Sequence, residues 1–188
     1  MSTRGAVGFR VDSVDRIAYN HFDSYPEGLG FDLLQFLRGV GDWNELSAKV
    51  RALRVVTKDE APSEADRQNL RRFADLSVGN KSLGDWYCLL RDTQGNLAKI
   101  LEAGVLIDGS AFLQDSLFCE WAYVVNLDAM TLECYRGFQT APHLLGRYAT
   151  RCGRNGYYPC ALATQFSLHA LPSDDHFVAT LEPDEEAA

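Results

Sequence analysis

The start of the chain carries four residues whose types could perform hydrolysis. Ser2 supplies a hydroxyl nucleophile, which is weak at neutral pH and needs a well-placed base. Asn20, His21 and Asp23 follow in a dense polar stretch, and residues 21 and 23 point the same way if they share a strand. Asp23 could then fix the tautomer of the His21 imidazole and leave the other nitrogen for acid/base work, while Asn20 donates to an oxyanion. The sequence therefore predicts a catalytic site formed by these four residues.

The same residues also have simpler interpretations. A small residue such as Ser2 commonly follows an initiator methionine and needs no function. Asp23 or Ser24 could cap the turn into the next helix, with Ser24 and Glu27 at capping-box spacing. Both interpretations fit the sequence.

Glu120 and Asn126 are candidate ligand-binding residues in a later apolar segment. Glu120 lies within LFCEWAYVV, and a carboxylate in a covered strand must be paired or have a raised pKa. Arg4, itself a candidate ligand-binding residue, or Arg10 could be its partner in a purely structural ion pair. Asn126 lies on the same strand face and could donate to a bound oxyanion or begin a hairpin turn.

The only locally basic and aromatic region supplies two further candidate ligand-binding residues, Arg151 and Arg154. With Arg147 they would line one side of a helix if this segment is helical, and Tyr148, Tyr157 and Tyr158 lie among them. Guanidinium groups beside aromatic rings suit phosphate or nucleotide recognition. Exposed arginines, however, are usually just solvated.

The elements that would position these residues follow an α+β order. Residues 3–11 and 16–22 predict an N-terminal β-hairpin that brings residue 2 beside the polar stretch, with Gly5 and Gly8 allowing close approach to the backbone. Helices are predicted over 29–37, from an N-cap at Asp42, and from a capping arrangement at Ser63. A second antiparallel hairpin is predicted at 117–137. Residues 1–172 are expected to form one domain and residues 173–188 an acidic tail.

A resemblance to a known family rests on two short motifs. Residues 1–4, MSTR, resemble the M-C-T-R start of the linear-amide hydrolases related to choloylglycine hydrolase, within the N-terminal-nucleophile superfamily. Residues 19–23, YNHFD, are similar to the GRNMDW-like motif that follows in those enzymes, and the late hairpin is similar more loosely. The resemblance implies an αββα sandwich, removal of Met1, and an α-amine, with an unperturbed pKa of roughly 7.7–8.0, that acts as base for the side chain of residue 2. The chain departs from that family at Ser2, where the family has cysteine, and at Asn20 or His21, where it has arginine.

Composition excludes several classes of protein. The chain has 188 residues, 46% of them hydrophobic, and a formal net charge of −8. Four of those negative charges belong to Glu182, Asp184, Glu185 and Glu186, so the body has no basic excess for nucleic acid. The spacing of cysteines and histidines does not fit a zinc site, and no apolar run reaches the ~20 residues of a membrane span. We therefore expect a cytoplasmic protein without metal, cofactor, nucleic acid or membrane.

Two functions are compatible with these observations. The first is an N-terminal-nucleophile-like hydrolase of a linear amide, active or degenerate. The alternative is a non-catalytic bacterial or phage accessory protein that binds a small anionic ligand, a nucleotide signal or a protein partner.

Overall fold

The N-terminal hairpin predicted from the sequence forms one edge of the main sheet. A computed structural model describes residues 3–182, and the predicted catalytic residue Ser2 lies outside them. The strands in this range are β1 (Gly5–Val11), β2 (Val14–Asn20), β3 (Arg54–Val56), β4 (Val105–Ile107), β5 (Trp121–Asn126), β6 (Thr131–Arg136) and β7 (Ala161–Ser167). The helices are α1 (Phe31–Arg38), α2 (Trp43–Ala52), α3 (Glu64–Asn69), α4 (Trp86–Leu89), α5 (Leu97–Ala103) and α6 (Asp174–Leu181), and shorter helical turns cover Pro26–Gly30, Arg71–Phe73, Arg91–Thr93 and Ser110–Gln114.

The main sheet has the strand order β2-β1-β5-β6-β7. Strands β1 and β5 are parallel, and the other neighbours are antiparallel. The predicted hairpin at 117–137 is confirmed as β5 and β6, and the α+β class is confirmed. Strands β3 and β4 form a separate two-stranded parallel sheet. Two stacked sheets of the αββα kind are not seen among residues 3–182.

Several helix boundaries follow the local signals in the sequence. The Asp42 carboxylate accepts hydrogen bonds from the backbone N–H groups of Asn44 and Glu45 at the start of α2. Ser63 and Asp66 form a complete capping box at the start of α3. Each cap satisfies N–H groups that have no partner within the helix, which is why these boundaries could be predicted.

The central strands β1 and β5 are buried on both faces of the sheet, so they are largely apolar on both sides. Val7, Phe9 and Tyr123 pack with α1, α2, α5 and α6 in the larger apolar cluster. Their neighbours Ala6 and Val124 face a second cluster, covered by the irregular chain that contains Leu113, Tyr148 and Cys160. Alternation along each strand assigns its side chains to the two faces.

The segment predicted as an acidic tail begins with a packed helix. Ser173 caps α6 by accepting a hydrogen bond from the His176 backbone, and Phe177 is fully buried in the larger cluster. Acidic residues in the first turn give the segment its tail-like composition, whereas Phe177 and Leu181, four residues apart, anchor it to the sheet. Over residues 3–182, none of the helices has the length and apolar character that crossing a bilayer requires.

Candidate functional site

The described start of the chain lies against the polar stretch at residues 20–24. The Ser24 backbone N–H donates to the Thr3 carbonyl oxygen over 3.1 Å, and Gly5 pairs with Asn20 across β1 and β2. The hairpin therefore brings residue 3 to this stretch.

Asn20 is buried and its amide donors are occupied. Its Nδ2 atom donates to the Phe22 carbonyl and, over 2.9 Å, to Ser24 Oγ. An amide NH₂ has two donor hydrogens, so none remains for an oxyanion in this arrangement. Asn20 is therefore not placed to donate to an oxyanion in this arrangement. Its hydrogen bonds instead fix the backbone directly after β2.

His21 is paired with a residue that sequence reasoning did not select. Its Nδ1 atom lies 2.7 Å from the Tyr19 hydroxyl. Burial, followed by the positive charges of Arg91 and Arg4, lowers the pKa of His21. Burial raises the pKa of Tyr19, so the hydroxyl keeps its proton and the pair consists of a neutral phenol and a neutral imidazole. A neutral imidazole at neutral pH has the protonation state that a general base requires.

The premise that His21 and Asp23 share a strand is wrong. Strand β2 ends at Asn20, and Asp23 is exposed with a positive φ of 52°. The backbone carbonyl of Asp23 accepts a hydrogen bond from Leu29, and no side-chain cap precedes the Pro26–Gly30 turn. The shared strand face that would have aligned Asp23 with His21 is therefore absent, and the predicted capping box from Ser24 is wrong.

Glu120 precedes β5 and does not lie within it. Its side chain is half-buried, and its carboxylate accepts a hydrogen bond from the Arg4 backbone N–H over 3.3 Å. The Arg4 guanidinium lies over the Phe118 ring, 5.8 Å from its centroid. Arg4 and Glu120 are thus neighbours, as predicted, but through the backbone and not through a salt bridge.

Asn126 begins the hairpin turn, as the alternative interpretation held. Its Oδ1 atom accepts from the backbone N–H groups of Asp128 and Ala129, and its Nδ2 atom donates to Glu133. Because Trp121 and Asn126 are the two ends of β5, Asn126 lies roughly 17 Å along the strand from the level of Gly5. The structure separates Asn126 from the other candidate residues of the hydrolase.

The predicted basic region is irregular and its arginines do not line a helix. Arg147 is half-buried and contacts Asp15. Arg151 is exposed, and its guanidinium lies 4.8 Å from the centre of the Tyr148 ring. Arg154 lines a cavity. The two candidate ligand-binding arginines of this region thus differ: only Arg154 reaches a site.

That cavity, called here the aromatic cavity, lies between β2, the β3–β4 sheet and α4. Its volume is about 670 Å³, and three rings contribute to its wall: Tyr19 from β2, Tyr87 from α4 and Phe112 from the turn Ser110–Gln114. The Tyr19 and Phe112 rings meet edge to face with centroids 5.0 Å apart. Buried Leu90 and Leu106 add apolar surface. A cavity of this size and composition suits a small ring-bearing molecule.

Two cations without carboxylate partners lie at the aromatic cavity. Lys58 and Arg154 are exposed, and neither forms an ion pair with any residue in the range 3–182. Of the nearby carboxylates, Asp85 accepts from the backbone of Tyr87 and Asn80. Asp108 accepts from the backbone N–H of Ser110. Asp59 also lines the cavity, but none of these three carboxylates forms an ion pair with Lys58 or Arg154, so the two positive charges are available to a ligand.

A second opening, called here the acidic cleft, lies on the other side of the turn Arg91–Thr93. Its volume is about 610 Å³, and Gln94 borders both openings. Its lining includes Asn20, Asp23, Glu27, Asp32, Asp75, Arg91 and Lys99. Within the described chain, no three His, Cys, Asp or Glu side chains are grouped so that they could hold a metal ion.

The comparisons with known proteins gave no match. This was so for protein-family models, for curated proteins and for solved structures. The family resemblance of the first residues accordingly stays a prediction, and the chemistry has to be argued from this chain alone.

A buried ionic network ties the irregular basic region to the sheet. Arg147 pairs with Asp15 over 2.9 Å and with Glu133, and both carboxylate side chains are only 8% exposed. Tyr148 donates to Asp15 over 2.8 Å, and Tyr135 donates to Glu133 over 2.8 Å. Burial alone would raise the pKa of Asp15, but the charge and hydrogen bond of Arg147, with hydrogen bonds from Tyr148 and Arg10, outweigh it and lower that pKa. Because its carboxylates are saturated, we interpret this network as structural.

Sequence reasoning missed five of the residues that define these sites: Tyr19, Lys58, Tyr87, Arg91 and Phe112. Tyr87, Phe112 and Arg91 stand in segments with weak periodicity, and their neighbours in space are distant in sequence. For Glu133 a signal was present, since it is a carboxylate between apolar residues in TLECYRGF. A carboxylate in a covered strand must be paired, as was expected for Glu120. This requirement holds for Glu133, which is buried and paired, and not for Glu120.

Proposed function

We propose that the protein binds a small ring-bearing anion, of the mononucleotide class, in the aromatic cavity. The observation that carries the proposal is the combination of three rings with two unpaired cations at one cavity. Stacking on aromatic side chains contributes about 1–3 kcal/mol per base, and guanidinium groups recognise phosphate oxygens in a bidentate way. Tyr19, Tyr87 and Phe112 would contact the ring, and Lys58 and Arg154 the phosphate.

Thermal unfolding with three related probes tests this proposal. Adenosine 5′-monophosphate at about a hundred times its Kd should stabilise the fold by about 2.7 kcal/mol, which is roughly 5–10 °C in Tm for a chain of this size. Adenosine should raise Tm less, and inorganic phosphate should not raise it. Phe112→Leu and Arg154→Gln should each weaken binding, about tenfold for the loss of the ring.

Arg151→Gln is the matched control, because Arg151 lies three positions from Arg154 but outside the cavity. It should bind adenosine monophosphate as the wild type does. The proposal fails if adenine, guanine, cytosine and uracil mononucleotides at millimolar concentration all leave Tm unchanged, or if the Arg151 and Arg154 variants weaken binding equally.

A second proposal is an amide hydrolase with Ser2 as nucleophile and its freed α-amine as base. It is supported by the contact between the Thr3 carbonyl and Ser24, which brings the residue after Ser2 to the edge of the acidic cleft. The neutral His21 imidazole, and Asp23 at the cleft, would supply acid/base groups. This proposal includes a distant relation to the αββα sandwich of the N-terminal-nucleophile enzymes, for which the N-terminal hairpin is the supporting element.

Intact-mass analysis of the protein from its native source tests the hydrolase proposal. Met1 should be absent, and an amide-directed electrophile should label Ser2 in the wild type but give no adduct in Ser2→Ala. A retained or acetylated Met1 would remove the required base and overturn the proposal.

A further inference from the structure

Arg91 is held in place by neutral groups at the acidic cleft. Its guanidinium carbon lies 5.4 Å from the centre of the Phe22 ring and 5.6 Å from that of Tyr87. Its Nη1 atom donates to Gln94 Oε1. The side chain is half-buried, so rings and an amide fix the cation without neutralising it.

Arg91 forms no salt bridge with any of residues 3–182, although its charge contributes, after the hydrogen bonds from Ser77, to lowering the pKa of Asp75 across the cleft. Lys99 lines the same cleft but is paired with Asp92 over 2.7 Å. A guanidinium has five N–H donors, and the described residues occupy one of those of Arg91. The remaining donors form a fork suited to a carboxylate, and the contacts with Gln94, Phe22 and Tyr87 restrict the side chain before a ligand binds.

The surroundings of Arg91 disfavour a simple anion. Asp23, Glu27 and Asp32 line the cleft and form no ion pair with any described residue. Asp75 also lines it, although its carboxylate accepts from the hydroxyl and backbone N–H of Ser77. An ion such as phosphate would meet this excess of negative charge. A molecule with a carboxylate and an ammonium group satisfies both parts of the cleft.

We infer that the acidic cleft binds a zwitterionic α-amino acid or short peptide. Its carboxylate contacts Arg91, and its ammonium group contacts the carboxylates of Asp23, Glu27 and Asp32. The site lies beside the aromatic cavity, with Gln94 bordering both, and its ligand goes beyond nucleotide binding. If the hydrolase proposal is correct, the ligand inferred for the acidic cleft identifies the substrate class as a peptide-like amide. Calorimetry detects binding without cleavage, so failure of either earlier proposal leaves its test intact.

Calorimetric titration with L-alanine, dialanine and trialanine tests the inference, because the three probes span increasing distances between ammonium and carboxylate. At least one should bind, and its N-acetylated and C-amidated forms should each bind at least about tenfold more weakly. Arg91→Gln should lose binding. Arg91→Lys keeps the charge but not the fork, and it should lose about tenfold in affinity.

Arg151→Gln serves as the control and should leave the affinity for the best peptide unchanged. Circular dichroism and the urea midpoint establish that each Arg91 variant is folded. The inference is overturned if none of the three probes binds, if the blocked forms bind as well as the free peptide, or if inorganic phosphate binds as tightly. Unchanged binding by a folded Arg91→Gln variant would overturn it as well.

Discussion

Replacement of Arg147 by alanine is expected to lower the free energy of unfolding by about 3–5 kcal/mol. The change leaves Asp15 and Glu133, both almost fully buried, without the cation that neutralises them. Arg10 remains 3.1 Å from Asp15, but Glu133 loses its only salt bridge within the described chain. Urea unfolding monitored by fluorescence measures the loss.

Arg151→Ala is a matched control for this prediction. The guanidinium groups of Arg147 and Arg151 lie 4.7 and 4.8 Å from the centre of the same Tyr148 ring, but only Arg147 contacts carboxylates. We expect Arg151→Ala to change stability by no more than about 0.5 kcal/mol. Equal losses in the two variants would mean that ring contact, and not charge pairing, accounts for the effect.

The same network fixes the direction of the pH dependence. The folded-state pKa of Asp15 is lowered, so its stabilisation is fully present above the ordinary value of 3.8 and is lost as the pH falls through the lowered value. The difference in stability between wild type and Arg147→Ala should therefore shrink as the pH falls. It shrinks first as the buried Asp15 of the variant, no longer paired with Arg147, takes up a proton, and then as Asp15 of the wild type titrates below about pH 4. A difference that grows on acidification would contradict the assignment.

The elements that the sequence predicted well depend on contacts between near neighbours. The caps at Asp42 and Ser63 satisfy backbone groups two or three residues away, and the β5–β6 hairpin closes over a short turn. Such contacts can be read from spacing alone. For α6, the Ser173 cap and the spacing of Phe177 and Leu181 were present in the sequence, but the acidic composition outweighed them.

The candidate sites were harder to predict because they join distant segments. The aromatic cavity combines Tyr19, Tyr87, Phe112 and Arg154, which no local pattern connects. Arg147 contacts Asp15 although the two residues are 132 positions apart in the sequence. The contact depends on the place of β2 at the edge of the main sheet. The sequence did allow Arg151 and Arg154 to be selected as candidate ligand-binding residues, because arginine suits anion recognition. Only the fold shows that Arg154 lines a cavity and Arg151 does not.

Gly5→Ala is expected to destabilise the protein by about 3 kcal/mol and to disturb the N-terminal polar cluster. A Cβ atom at this position would lie 2.2 Å from the Trp121 carbonyl oxygen and 2.6 Å from Ser24 Cβ. Because the carbonyl belongs to the β5 backbone beside β1, neither strand can move without disturbing the sheet. The close approach predicted from the glycine in the first strand is thus the packing of β1 between β5 and the Ser24 turn.

Gly41→Ala provides the comparison, since a Cβ atom there would meet no atom within 4 Å. It should change the free energy of unfolding by less than about 0.5 kcal/mol in the same urea titration. Gly5→Ala should also shift the amide resonances of Thr3 and Ser24, because their hydrogen bond lies beside the added methyl group. If Gly5→Ala unfolded at the same urea concentration as Gly41→Ala, the proximity of β1, β5 and Ser24 would be wrong. The approach of the chain's beginning to the acidic cleft, on which the hydrolase proposal depends, would then lose its support.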